Sequence, residues 1–358
     1  MKLFLVTENL GSGGAERQLT LLAKALREAG HQPIVITWID RNFYGDFLKD
    51  NKIRHILLHP VSKQDRVRKL ASLMREERPS AIISYLPMAN ETTVLARLLC
   101  PGLRTKLIVS ERSFTVNWNI RRRVTDMLYH VADYVVANSN NEAENIRRHC
   151  PSLAKKTLAI PNMVDIDNYC HAAPRTFNKP LRLVGVGRVI PSKNIENLVR
   201  ALARVKQQGH DFIFRWYGAQ DDEQYVRSIP RVINEYGMSQ TFSLHVAISE
   251  ISTVYAEADA FIFPSFLEGY PNVLVEAMAS GLPVAVSDVC EHPHIVTEGV
   301  NGFLFDPSSL DSMADAIIRL CNLSYDEALI IGNSNKIKVR TNNSTEAFLN
   351  QYMALIER

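Results

Sequence analysis

The chain has 358 residues, 46% of them apolar and 22% charged, a balance that excludes disordered and fibrous chains and leaves room for two domains with cores of their own. A net charge of +3 conceals an asymmetry: residues 1–170 hold 25 Lys and Arg against 17 Asp and Glu, whereas residues 171–358 hold 16 against 21. The cysteines (Cys100, Cys150, Cys170, Cys290 and Cys321) are odd in number and too scattered for a metal or redox motif, which points to reduced thiols and a cytoplasmic protein.

In chain order, residues 3–7 form an apolar run that turns polar at Glu8. It is too short for a signal-peptide core or for the about 20 residues of a membrane helix, and reads as a buried first strand. Gly11-Ser12-Gly13-Gly14 follows, then a helix with Leu19, Leu22, Ala23 and Leu26 on one face and Gly30 as its stop. Further short apolar runs, at 34–38, 81–84, 107–110, 134–137 and 158–162, alternate with basic amphipathic helices such as 65–78 and 119–131. Residues 171–180 carry two prolines and no periodicity, which marks a linker. Strands then resume at 181–187, 212–217, 260–264 and 284–287, with helices between them, including one over 273–280. Strand–helix alternation on this scale predicts α/β architecture with parallel sheets. Two such units in one chain create a cleft between the carboxyl ends of their sheets, where doubly wound folds bind ligands.

The motif with the most chemistry is Glu268-Gly269-Tyr270-Pro271-Asn272-Val273-Leu274-Val275-Glu276, which follows an apolar strand. Glu268 falls in the loop and Glu276 about one turn into the next helix. Gly269, Tyr270, Pro271, Asn272 and Val273 put backbone N–H groups at the helix start, where phosphate or sugar oxygens are favoured. Carboxylates accept hydrogen bonds from sugar and ribose hydroxyls. One junction can therefore hold a sugar at Glu268 and a ribose at Glu276, with phosphate between; the alternative is that Glu276 complements the helix N-terminus and Glu268 is solvated.

A second motif, Gly185-Val186-Gly187-Arg188 with Lys193 five residues on, places two cations at the mouth of a βα loop. They suit a diphosphate and the charge that grows on a departing nucleoside diphosphate. Gly11 and Gly13 begin a dinucleotide fingerprint, with Asp40 as a candidate ribose acid, but Glu16 occupies the third glycine position. Gly13 and Gly14 read instead as a turn that comes close to a donor ligand. Asp165-Ile166-Asp167 has the form of a metal motif, but its setting suits a turn and helix start, and fixed cations at Arg188 and Lys193 make a metal unnecessary. Glu111 and Arg112 follow the strand at 107–110. Arg112 could bind acceptor oxygens; Glu111 could orient it, touch the acceptor, or form a structural ion pair. Arg121-Arg122-Arg123, beside Phe114 and Trp118, together with Lys63, Arg66, Arg68 and Lys69, suits an anionic membrane surface or a lipid diphosphate, or else solvated helix faces; no nucleic-acid recognition module is visible.

At these residues the sequence resembles the family-4 retaining glycosyltransferases of the GT-B fold. The resemblance rests on Gly13–Arg17, on Pro161-Asn162-Met163-Val164-Asp165, on Gly187-Arg188 with Lys193, on Glu268 through Glu276, and on Glu298-Gly299-Val300-Asn301-Gly302-Phe303-Leu304. It implies two Rossmann-like doubly wound domains facing across a cleft. The N-terminal one, 1–170 with a returning helix near 344–358, would bind the acceptor, and 171–343 would bind a nucleotide-sugar, with UDP the nucleotide it points to. It further implies that Arg188 and Lys193 face the diphosphate, that Glu276 meets the ribose and Glu268 the transferred sugar, and that no cofactor is used. A lipid-linked saccharide acceptor in surface polysaccharide or glycolipid synthesis, at the cytoplasmic face of the inner membrane, would fit the basic N-terminal half. Where many relatives carry a histidine near the donor sugar, Arg112 stands here. The alternatives are a sugar-nucleotide epimerase or phosphorylase of the same layout, or a nucleotide-sugar-binding protein without turnover.

Overall fold

A computed structural model describes residues 1–169 and 179–357. Cys170 and the expected linker, apart from Lys179 and Pro180, lie outside the described residues. The chain divides into two units, Met1–Met163 with Thr345–Arg358, and Val164–Ser344.

The first unit alternates β1 (Lys2–Val6), α1 (Gly14–Glu28), β2 (Gln32–Thr37), α2 (Gly45–Asp50), β3 (Arg54–Leu57), α3 (Lys63–Glu77), β4 (Ala81–Tyr85), α4 (Pro87–Leu98), β5 (Lys106–Glu111), α5 (Ile120–Tyr129), β6 (Tyr134–Ala137), α6 (Asn140–His149) and β7 (Thr157–Ala159). Its seven strands are all parallel, in the order β3-β2-β1-β4-β5-β6-β7. A parallel sheet is covered on both faces, so its strands read as unbroken apolar runs. Successive side chains of β1 go to opposite faces: Phe4 and Val6 pack with Leu70 and Met74 of α3 and Val94 of α4, while Leu3 and Leu5 pack with Leu19, Leu22 and Leu26 of α1. Serine hydroxyls cap two of these helices: Ser62 accepts from the Asp65 amide at 3.1 Å and Ser139 from the Glu142 amide at 3.1 Å.

The second unit contains β8 (Leu181–Val186), α7 (Ile195–Gln207), β9 (Phe212–Tyr217), α8 (Glu223–Glu235), β10 (Phe242–His245), α9 (Ile251–Glu257), β11 (Ala260–Phe263), α10 (Asn272–Ala279), β12 (Val284–Ser287), α11 (His292–Ile295), β13 (Phe303–Phe305), α12 (Leu310–Cys321) and α13 (Tyr325–Asn343). Its six strands are also parallel, in the order β10-β9-β8-β11-β12-β13. After α13 the chain returns to the first unit as α14 (Thr345–Ile356). There Phe348, Tyr352, Leu355 and Ile356 join the cluster of Leu3, Leu5 and Leu19, and the Tyr352 and Tyr85 hydroxyls meet at 2.9 Å inside it.

Three strands carry no signal that the pattern reading recognises: β3, β10 and β13. Each lies at the edge of its sheet. An edge strand needs few apolar positions, and Arg54-His55-Ile56-Leu57 or Phe242-Ser243-Leu244-His245 are mostly half-buried, whereas β13, Phe303-Leu304-Phe305, is apolar throughout but only three residues long.

Candidate functional site

In the second unit β8 and β11 are neighbours, and the chain proceeds from them to opposite halves of the sheet. Ligands of open parallel sheets bind beyond the carboxyl ends of strands at such a switch point. The two motifs around Lys193 and Glu268 leave these two strand ends.

At the β8 exit, the Gly187 amide donates to the Tyr217 carbonyl at 2.9 Å, and the Gly187 carbonyl accepts from Trp216 Nε1 at 2.9 Å. Gly218 packs directly on this segment: a Cβ there would lie 1.8 Å from the Gly187 oxygen. Two backbones can approach so closely only without a side chain between them. The 3-10 turn Pro191–Lys193 follows, and Asn194 holds a left-handed φ of 58° before α7. The Phe266 amide donates to the Ser192 carbonyl at 2.8 Å, joining this turn to the loop after β11.

That junction brings Lys193 Nζ onto the Glu268 carboxylate, with the two side chains only 13% and 12% exposed. The ammonium also lies 5.1 Å from the centre of the Phe263 ring, and the Glu268 amide donates to Cys290 Sγ at 3.5 Å. Arg188 is exposed. Among the described residues its guanidinium makes no ion pair, so it stands at the same strand end as an uncommitted cation.

Helix α10 begins at Asn272 with Pro271 before it and no side-chain cap. The Leu274 and Val275 amides turn back to the Pro271 carbonyl, and the Asn272 amide bonds to the Tyr270 carbonyl. The Val273 amide has no acceptor among the described residues, so it remains a donor at the helix tip. Tyr270 is buried at 8% exposure, and its hydroxyl accepts from Asn343 Nδ2 at 2.5 Å, which anchors the Gly269-Tyr270-Pro271 segment to α13. Glu276, on the same helix, is 5% exposed.

Pattern reading misses the group behind this pair. His292 is fully buried, and its ring lies 5.5 Å from that of Phe263. Its Nδ1 is 2.8 Å from the Ser287 carbonyl, which fixes the proton there and leaves Nε2 without a partner among the described residues. Burial pushes the imidazole below its ordinary range, against the Ser287 bond and the Glu268 charge, which favour protonation. Burial likewise raises the Cys290 thiol. The available signal was positional: Cys290-Glu291-His292 leaves the exit of β12, next to β11, but a short Cys-Glu-His run has no motif of its own.

Asp165 and Asp167 lie at the 3-10 turn Ile166–Tyr169, with the Asn168 amide on the Asp165 carbonyl at 3.2 Å. This is the turn form of the two sequence readings.

In the first unit Gly13 is the N-cap of α1 and Gly14 its first residue. The Glu16 carboxylate folds back over Gly13, 2.2 Å from where a Cβ would stand. At the β5 exit, Glu111 does not orient Arg112. It accepts from Arg122 at 2.8 Å and from the Tyr129 hydroxyl at 2.5 Å, and is 1% exposed. Of the three readings of Glu111, the ion pair is present, with Arg122 as the partner. Burial opposes the Arg122 charge, but Glu111, Tyr129 and Asp126 outweigh it and hold its pKa up. Arg112 lies over the Tyr85 ring at 4.4 Å and bonds to Asn162 Oδ1. Its Nε has no partner among the described residues.

Two family models match the chain. The one described as Glycosyltransferase Family 4 covers residues 12–168, and the one described as Glycosyl transferases group 1 covers 171–336. A putative colanic acid biosynthesis glycosyltransferase of Salmonella typhimurium is 24% identical over 58% of this chain, and the chain spans about half, 52%, of that relative's length. A Campylobacter jejuni enzyme that adds N-acetylgalactosamine to a diphospho-undecaprenol-linked saccharide is 24% identical over 78% of this chain and 77% of its own. Among solved structures, Anabaena HepE in complex with UDP superposes with a TM-score of 0.87 at 22% identity over all of both chains.

Proposed function

We infer the activity from one premise: this chain belongs to glycosyltransferase family 4 and has the GT-B fold. On that premise it transfers a glycosyl group from a nucleotide-sugar to an acceptor hydroxyl, with retention at the anomeric carbon. The observation that carries this reading is the meeting of Lys193 and Glu268 at the β8/β11 switch point, beside the open tip of α10. The ammonium and the carboxylate satisfy each other. A donor would insert its diphosphate against Lys193 and its sugar hydroxyls against Glu268, each group exchanging one partner for another.

In the proposed step the bond from the anomeric carbon to the diphosphate oxygen breaks as the acceptor oxygen bonds to that carbon on the same face. The acceptor proton passes to an oxygen of the departing diphosphate, so no protein base is required. Lys193, Arg188 and the amides at Gly269–Val273 would stabilise the charge that grows on the leaving group. Fixed protein cations supply the charge that a metal ion would bring. Glu276 would accept from the ribose, and Gly13 and Gly14 would lie against the donor. The second unit is thus the donor-binding unit and the first the acceptor-binding one, with Arg112 as an acceptor contact. Glu111, committed to Arg122, would support the acceptor side through that pair.

UDP is the nucleotide we favour, because the solved neighbour HepE is described with UDP. A lipid-linked saccharide is the acceptor class we favour, because the Campylobacter relative's name specifies one. The test is a thermal-unfolding screen against nucleotide-sugars, since a ligand selective for the native state raises its stability. The protecting donor is then supplied with and without saccharide acceptors. Acceptor-dependent release of nucleoside diphosphate supports the reading. Isomerisation of the donor alone would indicate an epimerase, and protection without turnover would indicate a binding protein.

A further inference from the structure

Helix α5 faces the wrong way for a soluble core. Helix α5 buries Arg122, Thr125, Asp126 and Tyr129 and turns its apolar residues to solvent: Ile120 is 81% exposed, Val124 54% and Met127 71%. Val116 before the helix (61%) and Val131 after it (37%) extend the row. At about 100° per residue, positions 120, 124, 127 and 131 fall within a single stripe about 60° wide. Arg121 and Arg123, both exposed, project on either side of it, about 90° and 70° from its centre by the same rotation.

The charge on this face has one sign. The helix has one acid, Asp126, which is 4% exposed and held by Arg122 Nε at 3.0 Å. Arg122 is itself turned inward, paired with Glu111 and lying over the rings of Trp118 and Tyr129. The fold therefore neutralises the inner charges and leaves two arginines and an apolar ridge at the surface. Helix α4, which packs beside α5, adds Leu95 and Leu98, 39% and 54% exposed.

We propose that this face of α5 lies in the interface of an anionic lipid bilayer, with Ile120, Val124 and Met127 entering the acyl boundary and Arg121 and Arg123 meeting lipid phosphates. An apolar stripe bordered by cations is the form of an interfacial helix. No helix among the described residues is long and apolar enough to cross a membrane, so the contact is peripheral. A second copy of the chain fits less well. Two-fold pairing of the stripe would bring the arginines of one copy towards those of the other. A row of five side chains also falls short of the about 800 Å² per partner that stable interfaces bury.

This inference is independent of the transferase reading, because lipid binding needs neither donor nor acceptor. The test is co-sedimentation of the full chain with vesicles of phosphatidylglycerol and phosphatidylcholine, and with vesicles of phosphatidylcholine alone. We expect at least tenfold stronger partition onto the anionic vesicles, falling as salt is raised. The double substitution Val124→Glu, Met127→Glu should lose at least tenfold at every salt concentration. Ile120→Gln, a milder change at the most exposed position, should lose severalfold with an unchanged melting temperature. Arg121→Ala with Arg123→Ala should flatten the salt dependence. Absence of wild-type binding to anionic vesicles, or equal binding by the apolar variants, would overturn the proposal. So would lipid-free self-association that Val124→Glu abolishes, which would make the stripe a contact between copies.

Discussion

Replacing Lys193 by alanine removes the ammonium that faces Glu268 and leaves Arg188 and the α10 amides to stabilise the leaving group alone. A unit charge about 4 Å from another interacts by about 4 kcal/mol at an effective dielectric near 20. Only the charge that develops in the transition state accelerates the reaction, and removal of one oxyanion donor in other enzymes costs about 2.7–4 kcal/mol. At about 1.4 kcal/mol per tenfold, turnover should fall about 100- to 1,000-fold. The same substitution strands the Glu268 carboxylate, which is only 12% exposed. It reaches some solvent, so the loss of stability should be about 1–2 kcal/mol, below the several kcal/mol of a wholly buried unpaired charge. Initial rates of nucleoside diphosphate release at saturating donor and acceptor, with a urea melt on the same preparation, measure both quantities. A folded Lys193→Ala variant that turns over within threefold of wild type would refute the leaving-group role.

Three further outcomes follow from the same geometry. Glu268→Gln removes the resident counterion of Lys193, so free UDP should bind about two- to fivefold more tightly, the size of a partly exposed ion pair, while sugar transfer falls; weaker UDP binding, read by calorimetry, would contradict the pairing. Gly218→Ala drives a methyl group into the Gly187 carbonyl, 1.8 Å from its ideal position, and should destabilise by about 2–3 kcal/mol in urea melts, as overpacking does; a neutral effect would mean that the two turns are not in contact. His292 is held below its ordinary pKa mainly by burial, so the unfolded chain binds its proton first. Its contribution is complete above the unfolded value of about 6.5 and is lost as pH falls below it. His292→Asn should flatten the decline in stability between pH 7.5 and 5.5, although the lowered His31, His55 and His245 retain their share; an unchanged slope would exclude this assignment.

The central strands of both sheets were legible because a parallel strand buried on both faces must be a continuous apolar run, as in Leu3-Phe4-Leu5-Val6. Edge strands such as Arg54–Leu57 were not, because solvent on one side relaxes that demand. In the site, Lys193 and Glu268 were legible from their place at βα junctions, but their direct pairing was not, since it depends on the neighbouring order of β8 and β11. His292 escaped for a related reason: its significance comes from burial against Phe263, a contact between segments about 30 residues apart. Glu111 shows the reverse case. Its sequence neighbour Arg112 suggests a pair, yet Glu111 ends β5 while Arg112 lies beyond the strand and packs over the Tyr85 ring, and the partner of Glu111 arrives from α5.

The helix Thr345–Ile356 ties the first unit to the far end of the sequence. A ribosome delivers the chain from its amino end, so every strand of the first sheet emerges early, whereas Phe348, Tyr352 and Leu355, which close one face of that sheet, emerge only after the whole of Val164–Ser344. During synthesis the later unit can complete its core while the earlier one still waits with Leu3, Leu5 and Tyr85 incompletely covered. The core of the first unit is therefore made from both ends of residues 1–356, and one face of its sheet has all of its covering side chains only once residues 348–356 have been made.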